Sequence, residues 1–458
     1  MFHRIFDDGL AQSSYVITCN RTGQAAIVDP RRDIDVYVEY ARRCHLVIRF
    51  AIETHVHADF VSGARELAAL GATVVSGPGA GLQFEHHEAQ PGETLQLGDV
   101  AIKLLHTPGH TPEHISVLVE EPGEVRRVLT GDTLFVGAVG RPDLLGPERA
   151  RELAGRLHVS LTETLLTLGD DVEVHPGHGA GSLCGTGIGR EPHSTIGQER
   201  RFNPMLKYGS KQQFVEAVLA DLPETPPYFA ELKRVNQSGP AILGLGIGLP
   251  NHQLLTPGAA HAAMLQGAYL LDVRPADVFA AGHPGNAINI GFGPKVGYWA
   301  GFVVPVSAPV ILFGDEDAGV RNELRRQLLR VGIDRLLGYV AGGLEAWQDA
   351  GLPVSRIEQI SPRELLQRQM RGPSFTLVDV RSRDEFESGQ IAGALNIPVG
   401  SLPSRIAEIP ASLPVATLCE GGYRSSLAAS LLARSGFPSV FNLAGGMSAY
   451  RAEATVNH

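Results

Sequence analysis

The sequence predicts an α/β protein of several domains. Three observations carry that expectation: the chain length, a recurrence in the second half, and the alternation of short β-rich runs with amphipathic helical segments. At 458 residues the chain exceeds what one hydrophobic core organises, and a spacing of about 150 residues per domain gives roughly three domains.

The recurrence is long. LLDVRPADVFAAGHPGNAINI, from Leu270, is followed by LVDVRSRDEFESGQIAGALNI, from Leu377. Asp272, Arg274, Phe279, Gly282, Asn289 and Ile290 return as Asp379, Arg381, Phe386, Gly389, Asn396 and Ile397, each 107 positions on. VAGGLEAW, ending at Trp347, returns as LAGGMSAY, ending at Tyr450, 103 positions on. A period of this size is a duplicated domain, because solenoid repeats are far shorter. The copies are placed at 256–355 and 358–458, with the polar, proline-containing LPVSRIEQISPRE as their junction. In the second copy FTLVDVR, VATLC and SVFNL read as strands and RSSLAASLLARSG as a helix, the pattern of a parallel sheet with helices on its faces.

Residues 1–240 form a different domain. SYVITCN, AAIVDP, VIRFAIET, VAIKLLHT, ISVLVE, RRVLTGD and DVEVHPG read as strands, with helices such as SGARELAALG between them.

Composition is that of a folded protein, 43% hydrophobic and 19% charged, with 53 Gly and 30 Pro for turns. A net charge of −10, without a long Lys/Arg cluster, argues against a nucleic-acid partner and favours small molecules. MFHRIFDDGLAQSSY lacks the basic and apolar regions of a signal peptide, and PAILGLGIGLP is too short to span a bilayer. No membrane partner and a cytoplasmic location are therefore expected. The four cysteines, Cys19, Cys44, Cys184 and Cys419, are far apart and form no CxxC pair, so neither a disulfide framework nor a structural zinc site is expected.

Chemistry-bearing residues cluster after the predicted strands. His55, His57 and Asp59 follow VIRFAIET, His110 lies in HTPGHTPEH, Asp132 in LTGDTLF and His178 in HPGHGAG. Loops at strand ends combine a rigid scaffold with access to substrate. Four such loops carrying His or Asp point to a metal site, since unpaired buried ionisable groups are costly.

Taken in order, THVHAD, TPGHTPEHIS, GDTLF and PGHGAG resemble the metallo-β-lactamase superfamily, an αββα sandwich, over residues 1–240. Within it the chain resembles the iron-dependent persulfide dioxygenases. That resemblance implies one Fe(II) per chain, held by His55, His110 and Asp132. The two-metal glyoxalase II branch carries a histidine directly after the motif aspartate, where this chain has Phe60, so an apolar ring replaces a ligand of the second metal. Two imidazoles and a carboxylate also resemble the facial triad of non-haem Fe(II) oxygenases, which leaves positions for a thiolate substrate and O2. His57, Asp59 and His178 are left to orient ligands or substrate, or equally to pack and hydrogen-bond their loops. Arg141, in GRPDL, is open to pairing with a substrate carboxylate or with Asp143. Cys184 is open to substrate contact or to a structural role. Cys19 and Cys44 read as core residues, and His86 and His87 as solvated.

Cys419 follows VATL and opens CEGGYRSS, which leads into a helix. Free backbone N–H groups, the positive helix end and the charge of Arg424 favour the thiolate, the form that attacks sulfane sulfur and holds it as a persulfide. Gly421 and Gly422 let the loop curl around the sulfur, with Glu420 and Tyr423 completing it. DVR, GALNIP, CEGGYRS and LAGGMSAY resemble the rhodanese (sulfurtransferase) domain across the second copy. The first copy reads ILFGDEDAGVRNE at the same place, without a cysteine and with Asp315, Glu316 and Asp317 in the loop. It is expected to be inactive and to dock the active domains.

Together these readings predict an enzyme that oxidises a low-molecular-weight persulfide with O2 to sulfite and thiol, coupled to sulfane-sulfur transfer to or from thiosulfate through Cys419. The rivals are a zinc thioester hydrolase of glyoxalase II type fused to a rhodanese, and a non-enzymatic sulfur carrier or sensor. The sequence leaves open the thiol carrier, the direction of transfer and a homo-oligomeric state.

Overall fold

The computed structural model describes all residues except 1, 221, 250–252, 315–316, 371–374 and 457–458, and gives only the backbone of 247 and 454–456. Asp315 and Glu316 thus lie outside the described residues. Two compact units emerge, Met1–Pro250 with Leu329–Gly332, and Asn251–Leu328 with Ile333–His458.

The first unit is built on two six-stranded sheets. One carries β1 (Phe2–Asp7), β2 (Gln12–Cys19), β3 (Gln24–Val28), β4 (Val47–Ile52), β5 (Thr73–Ser76) and β6 (His87–Glu88) in that spatial order. The other contains β7 (Thr94–Leu97), β8 (Val100–His106), β9 (Ile115–Glu120), β10 (Arg127–Gly131), β13 (Glu173–Pro176) and β14 (Ser194–Thr195), after a short hairpin of β11 (Leu134–Phe135) and β12 (Ala138–Val139) is set aside. Each strand read from the sequence corresponds to one of these.

Side-chain alternation explains the layers. In β2, Tyr15 and Ile17 point to the inner core while Val16 points outward, and all eight residues are buried because both faces are covered. Ile102, Leu104, Ile115, Val117, Val119 and Leu129 meet Ala26, Val28, Ile52 and Val75 between the sheets. Each large aliphatic residue buried there contributes about 1.5–3 kcal/mol. On the outer faces, helices Asp35–Arg43 and Ala64–Ala69 cover the first sheet, and Pro147–Val159 and Lys211–Leu219 cover the second. The result is an αββα sandwich.

Strand direction brings the ligand-bearing loops together. β8 and β10 are both antiparallel to β9, and β13 is parallel to β10, so all three run the same way and their C-terminal ends lie at one edge. His110, Asp132 and His178 follow those ends, and His55 follows β4 of the facing sheet.

The second unit holds two five-stranded parallel sheets of matching order. One runs Leu254–Leu255, Leu336–Val340, Val310–Phe313, Tyr269–Asp272, Ile288–Asn289, and the other Glu358–Ile360, Val440–Leu443, Val415–Leu418, Thr376–Asp379, Leu395–Asn396. The repeated strand order is the structural form of the duplication. Asp272 pairs with Phe313 as Asp379 pairs with Leu418, which puts Gly314 where the other copy has Cys419.

Cys44 departs from the expected core position. It caps the C-terminus of helix Asp35–Arg43 and is exposed, because the helix ends before its buried face, carried by Tyr37 and Ala41, comes round again. Cys19 is buried. Among the described residues no helix is long and apolar enough to cross a membrane.

Candidate metal centre and candidate thiol site

His55, His110 and Asp132 converge in the first unit. Asp132 Oδ2 lies 3.5 Å from His110 Nε2 and 3.9 Å from His55 Nε2, and all three residues are buried. Each ring is held by its other nitrogen. Thr54 Oγ1 donates to Asp29 Oδ2 at 2.9 Å, so it accepts from His55 Nδ1 at 2.9 Å. His110 Nδ1 donates to the Arg141 carbonyl at 2.8 Å. Both Nε2 atoms therefore present lone pairs to one point. Burial, then neighbouring imidazoles, hold His55 well below its ordinary pKa. Burial likewise lowers His110, against the pull of Asp132. Two neutral imidazoles thus face a carboxylate oxygen that is buried and makes no hydrogen bond among the described residues. Such an orphaned oxygen is costly unless a cation satisfies it, and the donor set fits a divalent metal.

Backbone geometry makes this approach possible. Gly131 adopts φ +48°, and a Cβ there would lie 2.6 Å from His114 Nε2 and 2.7 Å from Thr54 Oγ1. At Gly177 a Cβ would lie 2.7 Å from Asp132 Oδ1. Only glycine fits either place.

His178 bridges two acids. Nδ1 donates to Asp132 Oδ1 at 2.7 Å and Nε2 to Asp59 Oδ2 at 2.8 Å. A neutral imidazole has one N–H, so two carboxylate acceptors call for the protonated ring. Burial opposes that charge, but Asp132 and Asp59 outweigh it and raise the His178 pKa well above its ordinary value. Burial also works against ionisation of Asp132, yet His178 pushes its pKa below the usual carboxylate range.

Asp59, His178 and Cys184 could also hold an ion by proximity, but both nitrogens of His178 are engaged. Cys184 packs in a small cluster with Phe135 and Ala138, and burial followed by Asp59 and Asp132 lifts its thiol pKa well above normal. His57 turns away from the triad, with Nε2 3.1 Å from Asp29 Oδ1 and 3.4 Å from Glu53 Oε2. Burial counts against its charge, but Asp29 and Glu53 carry its pKa up to about 9. The fully buried Phe60 ring lies 4.2 Å from that of His57, centroid to centroid.

Arg141 is 1% exposed, and every guanidinium nitrogen has a protein partner. Nε and Nη2 grip Asp143 at 2.7 Å each, Nη2 reaches the Pro223 carbonyl and Thr225 Oγ1, and Nη1 reaches the Leu183 carbonyl. Its structural partner is thus Asp143. His87 bonds Glu93 Oε1 at 2.7 Å, and His86 Nδ1 the Phe84 carbonyl at 2.7 Å.

Three orienting residues escaped the sequence reading. Asp29, with φ +51°, accepts from the Thr54 N–H and hydroxyl and from His57. Glu113 accepts from the Val56 N–H. His114 Nε2 accepts from the Asp132 N–H at 3.0 Å, and its Nδ1 faces Thr107 and Thr133 hydroxyls. The only sequence signal for His114 was its place in HTPGHTPEH.

In the second unit, Cys419 is buried directly after strand Val415–Leu418, ahead of helix Tyr423–Arg434. The Gly422 N–H donates to Cys419 Sγ at 3.1 Å, and Gly422 takes φ +104°. The loop carbonyls turn the other way, with Cys419 O accepting from Met447 N and Glu420 O from Ser448 N. One loop amide thus reaches the sulfur, which sits just ahead of a helix N-terminus. The Glu420 side chain is tied to Ser448 and Arg451, Gly421 is exposed, and Tyr423 Oη donates to the Gly291 carbonyl. Arg424 does not offer its charge freely to the thiol: Nη1 and Nη2 grip Glu385 at 2.6 and 2.7 Å. That bidentate contact, more than burial opposes it, draws the Glu385 pKa down to about 2. Glu385 also went unnoticed in the sequence, 39 positions before its partner.

An αββα sandwich with a His/His/Asp centre, followed by paired parallel-sheet domains with one thiol loop, defines a metallo-hydrolase-type fold joined to sulfurtransferase-type domains. The chain belongs to the metallo-beta-lactamase superfamily, matched over residues 7–178, with two rhodanese-like domains, matched over 256–350 and 361–453. A crystal structure of a metallo-beta-lactamase from Staphylococcus aureus is 32% identical and covers 74% of this chain and 98% of that one, at a TM-score of 0.63. A probable hydroxyacylglutathione hydrolase of Schizosaccharomyces pombe is 29% identical over 218 residues, 42% of this chain and 82% of its own length. The mitochondrial persulfide dioxygenase ETHE1 of Bos taurus is 26% identical over 225 residues, 48% of this chain and 80% of its own.

Proposed function

We propose that the first unit oxidises a low-molecular-weight persulfide at a single Fe(II), and that the second moves sulfane sulfur through Cys419. RSSH, O2 and water give RSH, sulfite and two protons. A ferrous ion held by His55, His110 and Asp132 supplies redox chemistry and open positions for sulfur and O2. His55 and His110 contribute neutral nitrogens fixed by Thr54 and the Arg141 carbonyl, and Asp132 is fixed by His178. Cys419 then takes sulfane sulfur as a persulfide and exchanges it with sulfite and thiosulfate.

The observation that carries this reading is the engagement of His178 at both nitrogens, together with Phe60 after Asp59, which counts against a second metal beside His55, His110 and Asp132. Similarity to the Bos taurus persulfide dioxygenase supports it. The second reading, zinc-dependent thioester hydrolysis, is favoured by relatives named hydroxyacylglutathione hydrolase. Giving the full chain glutathione persulfide under air and under argon tests the choice. Sulfite that appears only under air supports oxidation, and sulfite yield indifferent to O2 rejects it.

A further inference from the structure

Arginines stand near the thiol loop, and acids hold them. Arg424, which lies within electrostatic reach of the Cys419 thiol, is gripped by Glu385 through Nη1 and Nη2 at 2.6 and 2.7 Å. Arg381 is held by Asp379 through Nε and Nη2, and its Nη1 lies 3.5 Å from Glu420 Oε2. Arg451 Nη1 donates to Glu420 Oε1 at 2.7 Å. Positive charge beside the sulfur is thus matched by carboxylates already in contact with it.

The duplication separates contacts that serve the fold from one that goes with the thiol. Arg381 Nη2 bonds Asp379 and the Gly389 carbonyl, and in the cysteine-free copy Arg274 Nη2 bonds Asp272 and the Gly282 carbonyl in the same way. A contact kept in both copies belongs to the shared architecture. Glu385 has no such counterpart: at the constant spacing of 107 positions, Val278 stands in its place, although GVR ending at Arg321 matches GYR ending at Arg424. Helix Ala276–Ala281, which contains Val278, forms as helix Arg383–Glu387 does, so this part of the fold does not require the acid. The carboxylate is present in the copy that has the cysteine.

Thiosulfate brings a dianion to the sulfur and sulfite carries one away, whereas an organic persulfide reacts through an outer sulfur that is neutral or singly charged. A guanidinium already clamped at both terminal nitrogens offers a dianion little. Glu385, whose pKa Arg424 draws down to about 2, is ionised at neutral pH and repels it. We infer that Glu385, acting through Arg424, selects the sulfur donor of Cys419 by disfavouring dianionic thiosulfate relative to an organic persulfide. Glu385 is in this sense a positioning residue. The inference deepens the sulfur-transfer reading above and rests on it. With R–S–SH, a Cys419 Sγ–S bond forms to the outer sulfur as the S–S bond of the donor breaks, and the electron pair leaves on RS⁻, which takes a proton to become RSH. With thiosulfate the pair leaves on sulfite. No external oxidant or reductant enters.

The test follows the gain of one sulfur by Cys419 in the full-length protein under argon, by intact-mass spectrometry, with Cys419→Ser as the blank. Thiosulfate and glutathione persulfide are the two donors, each varied in concentration. Glu385→Gln removes the charge, and Glu385→Val installs the residue that the cysteine-free copy carries at that position. In each variant the second-order rate constant for thiosulfate relative to that for glutathione persulfide is expected to rise about tenfold, equivalent to about 1.4 kcal/mol of discrimination, through a lower half-saturating concentration of thiosulfate. A residue that only supports the loop would lower both rate constants together and leave their ratio unmoved. A ratio that is unchanged or lower in either folded variant overturns the inference. If Cys419 of the unaltered protein gains sulfur from neither donor, the transfer reading itself fails and the inference with it.

Discussion

Nδ1 of His178 lies 2.7 Å from Oδ1 of Asp132, while Oδ2 of the same carboxylate faces His55 and His110. One oxygen is thereby fixed and the other left for a cation. Replacing His178 by Gln keeps some hydrogen bonding but removes the charge between the two acids. Metal affinity is expected to fall about 10–100-fold, measured by competition with a chromogenic chelator. His178→Ala leaves both acids unpaired and is expected to cost about 3–5 kcal/mol of stability, read from urea unfolding of the metal-free chain. Affinity within twofold of the unaltered protein in both variants would show that His178 does not orient Asp132.

Phe60→His restores the residue order of the two-metal branch. His178 is already bonded at both nitrogens and His57 faces Asp29 and Glu53, so a new imidazole finds too few partners for a second ion. Metal content is expected to stay at one per chain, with lower stability from placing a polar ring where Phe60 is fully buried. Elemental analysis giving two ions per chain contradicts this account.

The two chemistries should separate by mutation. Asp132→Asn is expected to take persulfide-dependent O2 uptake to background while thiosulfate transfer persists, and Cys419→Ser to do the reverse. An oxygen electrode and a thiocyanate assay measure the pair. Loss of both activities in either single variant argues against independent sites.

Glu385 gives a pH signature. Arg424 depresses its folded-state pKa to about 2, below the ordinary value of about 4.3. The contact therefore adds stability above about pH 4.3, and the contribution fades as pH falls towards 2. Glu385 is partly exposed, so the contribution is about 1 kcal/mol or less. Thermal unfolding of Glu385→Gln should fall below that of the unaltered protein at pH 6, with the gap narrowing below about pH 4 and closing only below about pH 2. A gap that widens on acidification reverses the assignment.

Much of this was legible in the chain itself. The strands of the sandwich announced themselves by β-rich apolar runs, the duplication by its constant spacing, and the two centres by residues placed directly after strands. What stayed hidden depends on contacts that spacing does not encode. Asp29 reaches Thr54 across β3 and β4, Glu385 reaches Arg424 from the segments that follow two neighbouring parallel strands, and His114 takes its role from the return of β10 beside β9. Cys44 misled because a helical position next to buried residues need not itself be buried when the helix ends there. The contacts of helix Tyr423–Arg434 with Asn289 and Gly291 join the two copies, which no single motif records.

Metal analysis of the full-length protein together with O2 uptake on adding glutathione persulfide is the decisive test of the proposed persulfide-oxidising iron centre. The expected result is one iron per chain and one O2 consumed for each sulfite formed. Two zinc ions per chain, with thioester cleavage and no O2 uptake, contradict it.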